Sequence, residues 1–179
     1  YKGRLAINLK VSVEDSAHAS APWLSKNAIE ETMIFSRELK ERLESGQEKK
    51  SKGMLLTATL TEINGGTSHN VTPKECVSTF DIRIPVDMNC KITEQKISTL
   101  VNEIAHRRKV EAYYSIIDET EPFEAPHDSP IVRAFTLGVM DVEHTRPTLI
   151  RKTGTGDMNV IGNQWKIPVV TYGPGDPHQ

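Results

Sequence analysis

The sequence predicts an α+β fold, a ferredoxin-like βαββαβ sandwich, followed by a shorter stretch of α/β character. Three observations carry that prediction. Leu5, Ile7, Leu9, Val11 and Val13 alternate with polar or small residues, the period-2 signature of a strand with one buried face. Ala28, Thr32, Phe35, Leu39 and Leu43 then recur at helical spacing. After them come two strand patterns, a second helical stripe and a final strand pattern, which completes the β-α-β-β-α-β order.

Each element has a local reason. The first strand leads into Ala17-His18-Ala19-Ser20-Ala21-Pro22-Trp23, a loop whose proline stiffens the backbone and whose tryptophan is expected to anchor it. Asn27 is a good N-cap for the first helix, and Glu30 and Glu31 put negative charge in its first turn. Ser45 to Gly53 is a polar, lysine-bearing connector. In the second strand Leu56, Ala58 and Leu60 alternate with threonines up to the break Asn64-Gly65-Gly66. The third puts Phe80, Ile82 and Ile84 on one face and Thr79, Asp81 and Arg83 on the other. Thr93-Glu94 is expected to start a second helix with an apolar stripe at Ile97, Leu100, Val101, Ile104 and Ala105, and His106 to Lys109 suit its negative end. Val110 to Ile117 is the fourth strand, and Asp118 to Asp128 reads as a linker.

Beyond the linker, Ser129-Pro130 opens a helix through Met140, Thr148 to Arg151 is predicted as a short strand, Lys152 to Asp157 turns into another helix, and Pro168 to Tyr172 is a last strand. The domain boundaries expected are 1–122 and 123–179. The chain opens at Tyr1 rather than Met and stops shortly after Tyr172-Gly173-Pro174-Gly175, so it reads as a piece of a longer protein.

The chain has 179 residues, a formal charge of −2 and a pI of about 6.3, which gives no basic stripe for nucleic acid. No apolar run approaches the ~18 residues of a membrane span. Cys76 and Cys90 lack metal or redox spacing and are expected to be buried thiols in a cytoplasmic protein. Six scattered histidines show no zinc-site spacing, so no metal ligand is assigned in this chain.

The residues that could carry chemistry each have a plainer reading. His18 is a loop histidine beside a turn. Asn70 follows Gly65-Gly66, where asparagine forms turns. Arg83 shares a strand face with Asp81 and would form an ordinary ion pair, although arginine is also the natural carboxylate clamp. The glycines around Gly154 and Thr155 open a helix and could offer N–H groups to an anion, or could simply permit a tight turn.

Together, His18-Ala19-Ser20-Ala21-Pro22 with Asn27-Ala28-Ile29, Gly65-Gly66 with Asn70-Val71-Thr72-Pro73, Asp81-Ile82-Arg83, Lys152 to Asn159, and Tyr172 to Asp176 resemble the metal-dependent amidohydrolase family of acetylornithine deacetylase and succinyl-diaminopimelate desuccinylase, and its acetyl-lysine deacetylase branch. The resemblance implies a ferredoxin-like dimerisation domain, inserted in a catalytic domain whose first returning part is residues 123–179. It implies a parent deacylase with two zinc or cobalt ions, removing an acetyl or carrier-linked acyl group from lysine or ornithine in lysine or arginine biosynthesis. The ion ligands would lie outside this chain; His178 is a near miss for one of them. By the same resemblance His18 is catalytic, Asn70 binds substrate in the neighbouring subunit's site, and Arg83, Gly154 and Thr155 hold a substrate carboxylate. The partners implied are a second copy of the chain and a small-molecule or carrier-protein-linked amino acid. A non-enzymatic ligand-sensing or assembly module is the alternative, because this sandwich serves both uses.

Overall fold

The computed structural model of the chain describes residues 1–173. Its order is β1 (Gly3–Ser12), α1 (Ala28–Glu44), β2 (Thr57–Gly65), β3 (Glu75–Ile84), α2 (Cys90–Arg108), β4 (Glu111–Thr120), α3 (Pro130–Glu143) and α4 (Asp157–Trp165). The four strands form one antiparallel sheet in the order β2-β3-β1-β4. Both α1 and α2 pack on the same face, as the βαββαβ pattern requires.

Alternation in β1 explains that face. Leu5, Ile7, Leu9 and Val11 are fully buried under the helices with Phe80, Ile82 and Ile84 of β3, while Arg4, Ala6, Asn8 and Lys10 lie on the open side of the sheet. From above, α1 contributes Phe35, Leu39 and Leu43, and α2 contributes Ile97, Leu100, Val101 and Ile104. Asn27 caps α1 by accepting the Ile29 N–H at 3.0 Å. Across the helix pair Arg108 Nε donates to Glu31 at 2.6 Å, and Arg107 and Arg42 pair with Glu38 and Glu103.

Several boundaries differ from the expected ones, each for a visible reason. The α2 helix starts at Cys90, not Thr93, because Asn89 is the cap: its side chain accepts the Ile92 N–H at 2.8 Å. Thr93 is buried one turn in, its hydroxyl bonded back to the Asn89 carbonyl at 2.9 Å. The fourth strand runs on to Thr120 because a bulge opposite Ala6 and Ile7 absorbs Ile117, after which pairing resumes at Asp118. A second bulge falls between Leu60 and Glu62; Leu60 stands on the same face as Ala58, opposite Phe80, but on the edge strand it is 40 % exposed instead of lying in the core. Trp23 does not anchor its loop; it is 78 % exposed, and backbone bonds to residues 70–72 do the anchoring. The strands predicted at 148–151 and 168–172 do not form, since neither finds a ladder partner among the described residues. Residues 174–179, which include His178 and most of the Gly-Pro-Gly turn, lie outside the described residues.

Where the sandwich's two ends meet, residues 1–3 run beside 120–123. Tyr1 N–H donates to the Phe123 carbonyl at 2.9 Å and Phe123 N–H to the Tyr1 carbonyl at 3.1 Å. Gly3 is required there, because a Cβ would stand 2.7 Å from Pro122 and from the Thr120 carbonyl. Asn159 of α4 is fully buried and grips both segments, donating to the Lys2 carbonyl at 3.0 Å and the Glu121 carbonyl at 2.8 Å.

Candidate active-site surface

The loop after β1 and the loop between β2 and β3 are zipped together at their bases. Thr72 N–H donates to the Ala17 carbonyl at 2.9 Å, Ala19 N–H to the Asn70 carbonyl at 2.8 Å, and Ala17 N–H to the Thr72 hydroxyl at 2.8 Å. Residues 18 and 71 thereby form an isolated antiparallel bridge. This bridge brings His18 beside Asn70, two residues far apart in sequence. Gly66, at a φ of +81°, makes the turn that lets the second loop fold back toward Ile29, and only glycine enters that region without strain.

The polar groups here have defined roles. Ser20 N–H donates to His18 Nδ1 at 3.2 Å, and the Ser20 hydroxyl lies 2.7 Å from the same nitrogen. A neutral ring accepting at Nδ1 carries its proton on Nε2, so His18 presents a donor. Asn70 Oδ1 accepts from the Ser68 hydroxyl at 2.7 Å, which leaves its Nδ2 facing His18 Nε2 at 3.5 Å. In that tautomer the two groups are both donors and suit one shared acceptor; in the other, Nε2 accepts from Asn70 Nδ2. Both side chains sit at the surface next to an open hollow of about 470 Å³, walled by Ala19, Asn27, Ile29, Gly66, His69 and Thr72.

Arg83 and Thr155 meet at the other end of the sheet. Arg83 is doubly bonded to Asp81, Nε to Oδ1 at 2.5 Å and Nη2 to Oδ2 at 3.0 Å, and its Nη1 donates to the Thr155 hydroxyl at 3.0 Å. The Thr155 hydroxyl in turn donates to the Lys2 carbonyl at 3.1 Å. Thus the ordinary ion pair and the bridge to the glycine turn both form. Gly154 lies two residues before the N-cap of α4, with nothing within 4 Å of where a Cβ would stand, so packing does not demand glycine there.

The four polar residues therefore fall into two pairs. Arg83 lies opposite Arg4, and the His18 bridge lies beyond Ser12, so at ~3.3 Å per residue β1 alone separates the pairs by about 26 Å. Lys2, just before the first strand, is only 3 % exposed and lies near enough to Arg83 to feel its charge.

One further cluster, in the fold rather than at either pair, gathers metal-ligating groups. Cys90, Glu119 and Glu121 can place ligand atoms within 4.8 Å of one another. Burial, with Glu121 and Glu119 nearby, pushes the Cys90 thiol up to about 12, and Glu121 accepts the Cys90 N–H at 3.1 Å as a helix-start partner. A protonated thiol and a committed carboxylate do not fit a pair of hydrolytic ions. No helix among the described residues is long and apolar enough to cross a membrane.

Comparison with known proteins supplies a family. The chain is 34 % identical over 116 residues to a LysW-lysine/LysW-ornithine hydrolase of Saccharolobus islandicus, an alignment covering 65 % of this chain and 31 % of that protein. The chain thus spans about a third of the length of the curated relatives it matches. Among solved structures, a tripeptidase from Staphylococcus aureus superposes with a TM-score of 0.70 at 17 % identity, covering 93 % of this chain and 42 % of that one. An M20 family metallo-carboxypeptidase from Sulfolobus solfataricus gives 0.67 at 16 % identity over 93 % and 49 %. These two bear on the fold alone, and they share the four-stranded sheet with its two helices. Residues 2–109 match the family model described as the peptidase dimerisation domain, and the chain belongs to that family.

Proposed function

We propose that this chain is the dimerisation domain, residues 1–122, together with a flanking part, 123–179, of a metal-dependent hydrolase that cleaves an N-acyl amide of lysine or ornithine. The carrier-linked form of such a substrate is suggested by the hydrolases it resembles. In this reading the chain forms a homodimer, and the zinc or cobalt ions of the longer enzyme are held by residues outside it.

The observation that carries the reading is the separation of the two polar pairs. About 26 Å of β1 lies between them, more than one copy can fold around the amino-acid part of a single substrate. Two copies can supply one pair each. His18 and Asn70 then reach the partner's site, while Arg83 and the Gly154–Thr155 turn hold a carboxylate of the substrate in their own. Amide hydrolysis develops negative charge on the carbonyl oxygen, and the adjacent N–H groups of His18 and Asn70 are donors matched to that charge. Their value is greatest in the transition state, where the charge appears.

Self-association is the first requirement. A stable two-fold contact needs on the order of 1,200–2,000 Å² of total burial, which a sandwich of this size can supply. Sedimentation velocity across a hundredfold concentration range is expected to show a dimer at the upper end. A monomer throughout would contradict the proposal and favour the ligand-sensing alternative.

A further inference from the structure

We propose that Trp23 and Leu24 form an apolar knob that docks in a hollow on the flank of a second copy of this chain, each copy of a two-fold dimer giving one knob and receiving the other. This rests on the homodimer reading above and deepens it, by naming what seats the projecting His18 end on its partner. Trp23 is 78 % exposed and Leu24 73 %, yet the backbone that carries them is fixed. Ala21 N–H donates to the His18 carbonyl at 2.8 Å and Leu24 N–H to the Ala21 carbonyl at 3.2 Å, which closes the short 3-10 turn Pro22–Leu24. Just past the turn, the Ser25 hydroxyl donates to the Asp15 carbonyl, and the Lys26 ammonium to the Lys109 carbonyl at 3.0 Å. An exposed indole on a pre-set backbone gives up little conformational entropy when it is covered, which is the property of an interface anchor.

The same chain carries a surface that matches this knob. A mainly apolar hollow of about 630 Å³ opens beside α3, walled by Val132, Leu137, Pro147 and Leu149 together with Arg133 and Arg146. Charge complementarity selects the occupant. Glu14 and Asp15 stand at the base of the knob's loop, and among the described residues only Asp15 has an ion-pair partner, Lys74 at 3.2 Å. Arg133 and Arg146 likewise make none of the ion pairs found among the described residues, and a guanidinium is suited to stack on an indole as well as to meet a carboxylate. The hollow also lies on the flank that carries Thr155, so a knob seated there brings the nearby His18 toward the flank of the other copy. A Trp side chain buries about 150–250 Å². Counted twice by the two-fold, this is an anchor within the roughly 1,200–2,000 Å² of a stable contact and not the whole of it.

The chain has two tryptophans, so Trp165→Phe, at an exposed position, leaves Trp23 as the sole reporter of the knob. Over the concentrations at which sedimentation shows this variant passing from monomer to dimer, Trp23 emission is expected to move to shorter wavelength and its quenching by acrylamide to fall. Leu137→Glu sets a carboxylate in the hollow at a residue that is itself exposed, and it is expected to weaken the dimer about ten- to hundredfold, as is Trp23→Ser in the otherwise unchanged chain. Matching circular dichroism and thermal melts of the monomers show that the variants fold. A dimer in which Trp23 is quenched as readily as in the monomer overturns the knob and leaves the homodimer reading in place. Protection of Trp23 that survives Leu137→Glu overturns the hollow as its seat. A chain that stays monomeric at every concentration overturns both.

Discussion

Two residues show how environment, not identity, sets chemistry in this protein. His18 is held by the Ser20 N–H with Nε2 carrying the proton, and its ring is exposed, so the fold does not depend on it. If the chain serves the hydrolase proposed above, His18→Ala in that enzyme is expected to lower kcat about 10²–10³-fold, roughly 3–4 kcal/mol, with a smaller change in KM and unchanged folding. Steady-state kinetics check this, and a large loss in KM alone would point to ground-state binding instead. Cys90 is the opposite case, a buried thiol pushed up to about 12 from an ordinary 9.0 by burial and then by Glu121 and Glu119. Between those values the folded protein keeps a proton that the unfolded chain has lost, so this group's contribution to stability falls as pH rises through the window. Urea melts from pH 8 to 10 should show the decline, and Cys90→Ala should flatten it. Iodoacetamide at pH 8 should leave native Cys90 unmodified and label it once the chain is unfolded. The sequence made His18, Asn70, Arg83 and Thr155 visible as candidates, but it gave no sign that they meet as His18 with Asn70 and Arg83 with Thr155. That pairing comes from a loop bridge and a turn, which have no periodic signal.

At the level of elements, the order and buried faces were readable because long apolar stripes average over many positions. All of Ala28, Thr32, Phe35, Leu39 and Leu43 are buried as the helical spacing predicts. Ends were harder to read, for they depend on single side chains. Thr93 and Asn89 are both plausible caps by residue type; the chain uses Asn89 because Thr93 is needed in the core. Asn89→Ala is therefore expected to cost about 1 kcal/mol, measured as the shift in denaturation midpoint, by exposing the first N–H groups of α2. A change below a few tenths would mean that the start of the helix is held by Glu121 alone. Bulges in β2 and β4 escaped the alternation for a related reason. One extra residue shifts the period without changing composition, as Ile117 does in β4 and Thr61 in β2. The two strands expected beyond residue 147 failed differently: a strand needs a ladder, and the pattern of a sequence cannot supply the neighbour.

On the scale of the molecule, β1 is the ruler of the proposed assembly. It ties Arg83 to one end of the sheet and His18 to the other, so its length decides which residues of one copy can serve one substrate. Asn159, holding both the Lys2 and Glu121 carbonyls, fixes the sandwich to α4 at the Arg83 end and leaves the His18 end projecting. The central claim is that the projecting end works in the partner's site. It is tested most directly by mixed dimers of the full-length hydrolase, in which one subunit carries His18→Ala and the other has intact His18 but an inactivated catalytic portion. If His18 acts across the dimer, the intact catalytic portion faces a wild-type His18, and the mixture retains about half the activity of wild type. A mixed dimer as inactive as either parent would contradict the claim and place His18 in its own subunit's chemistry.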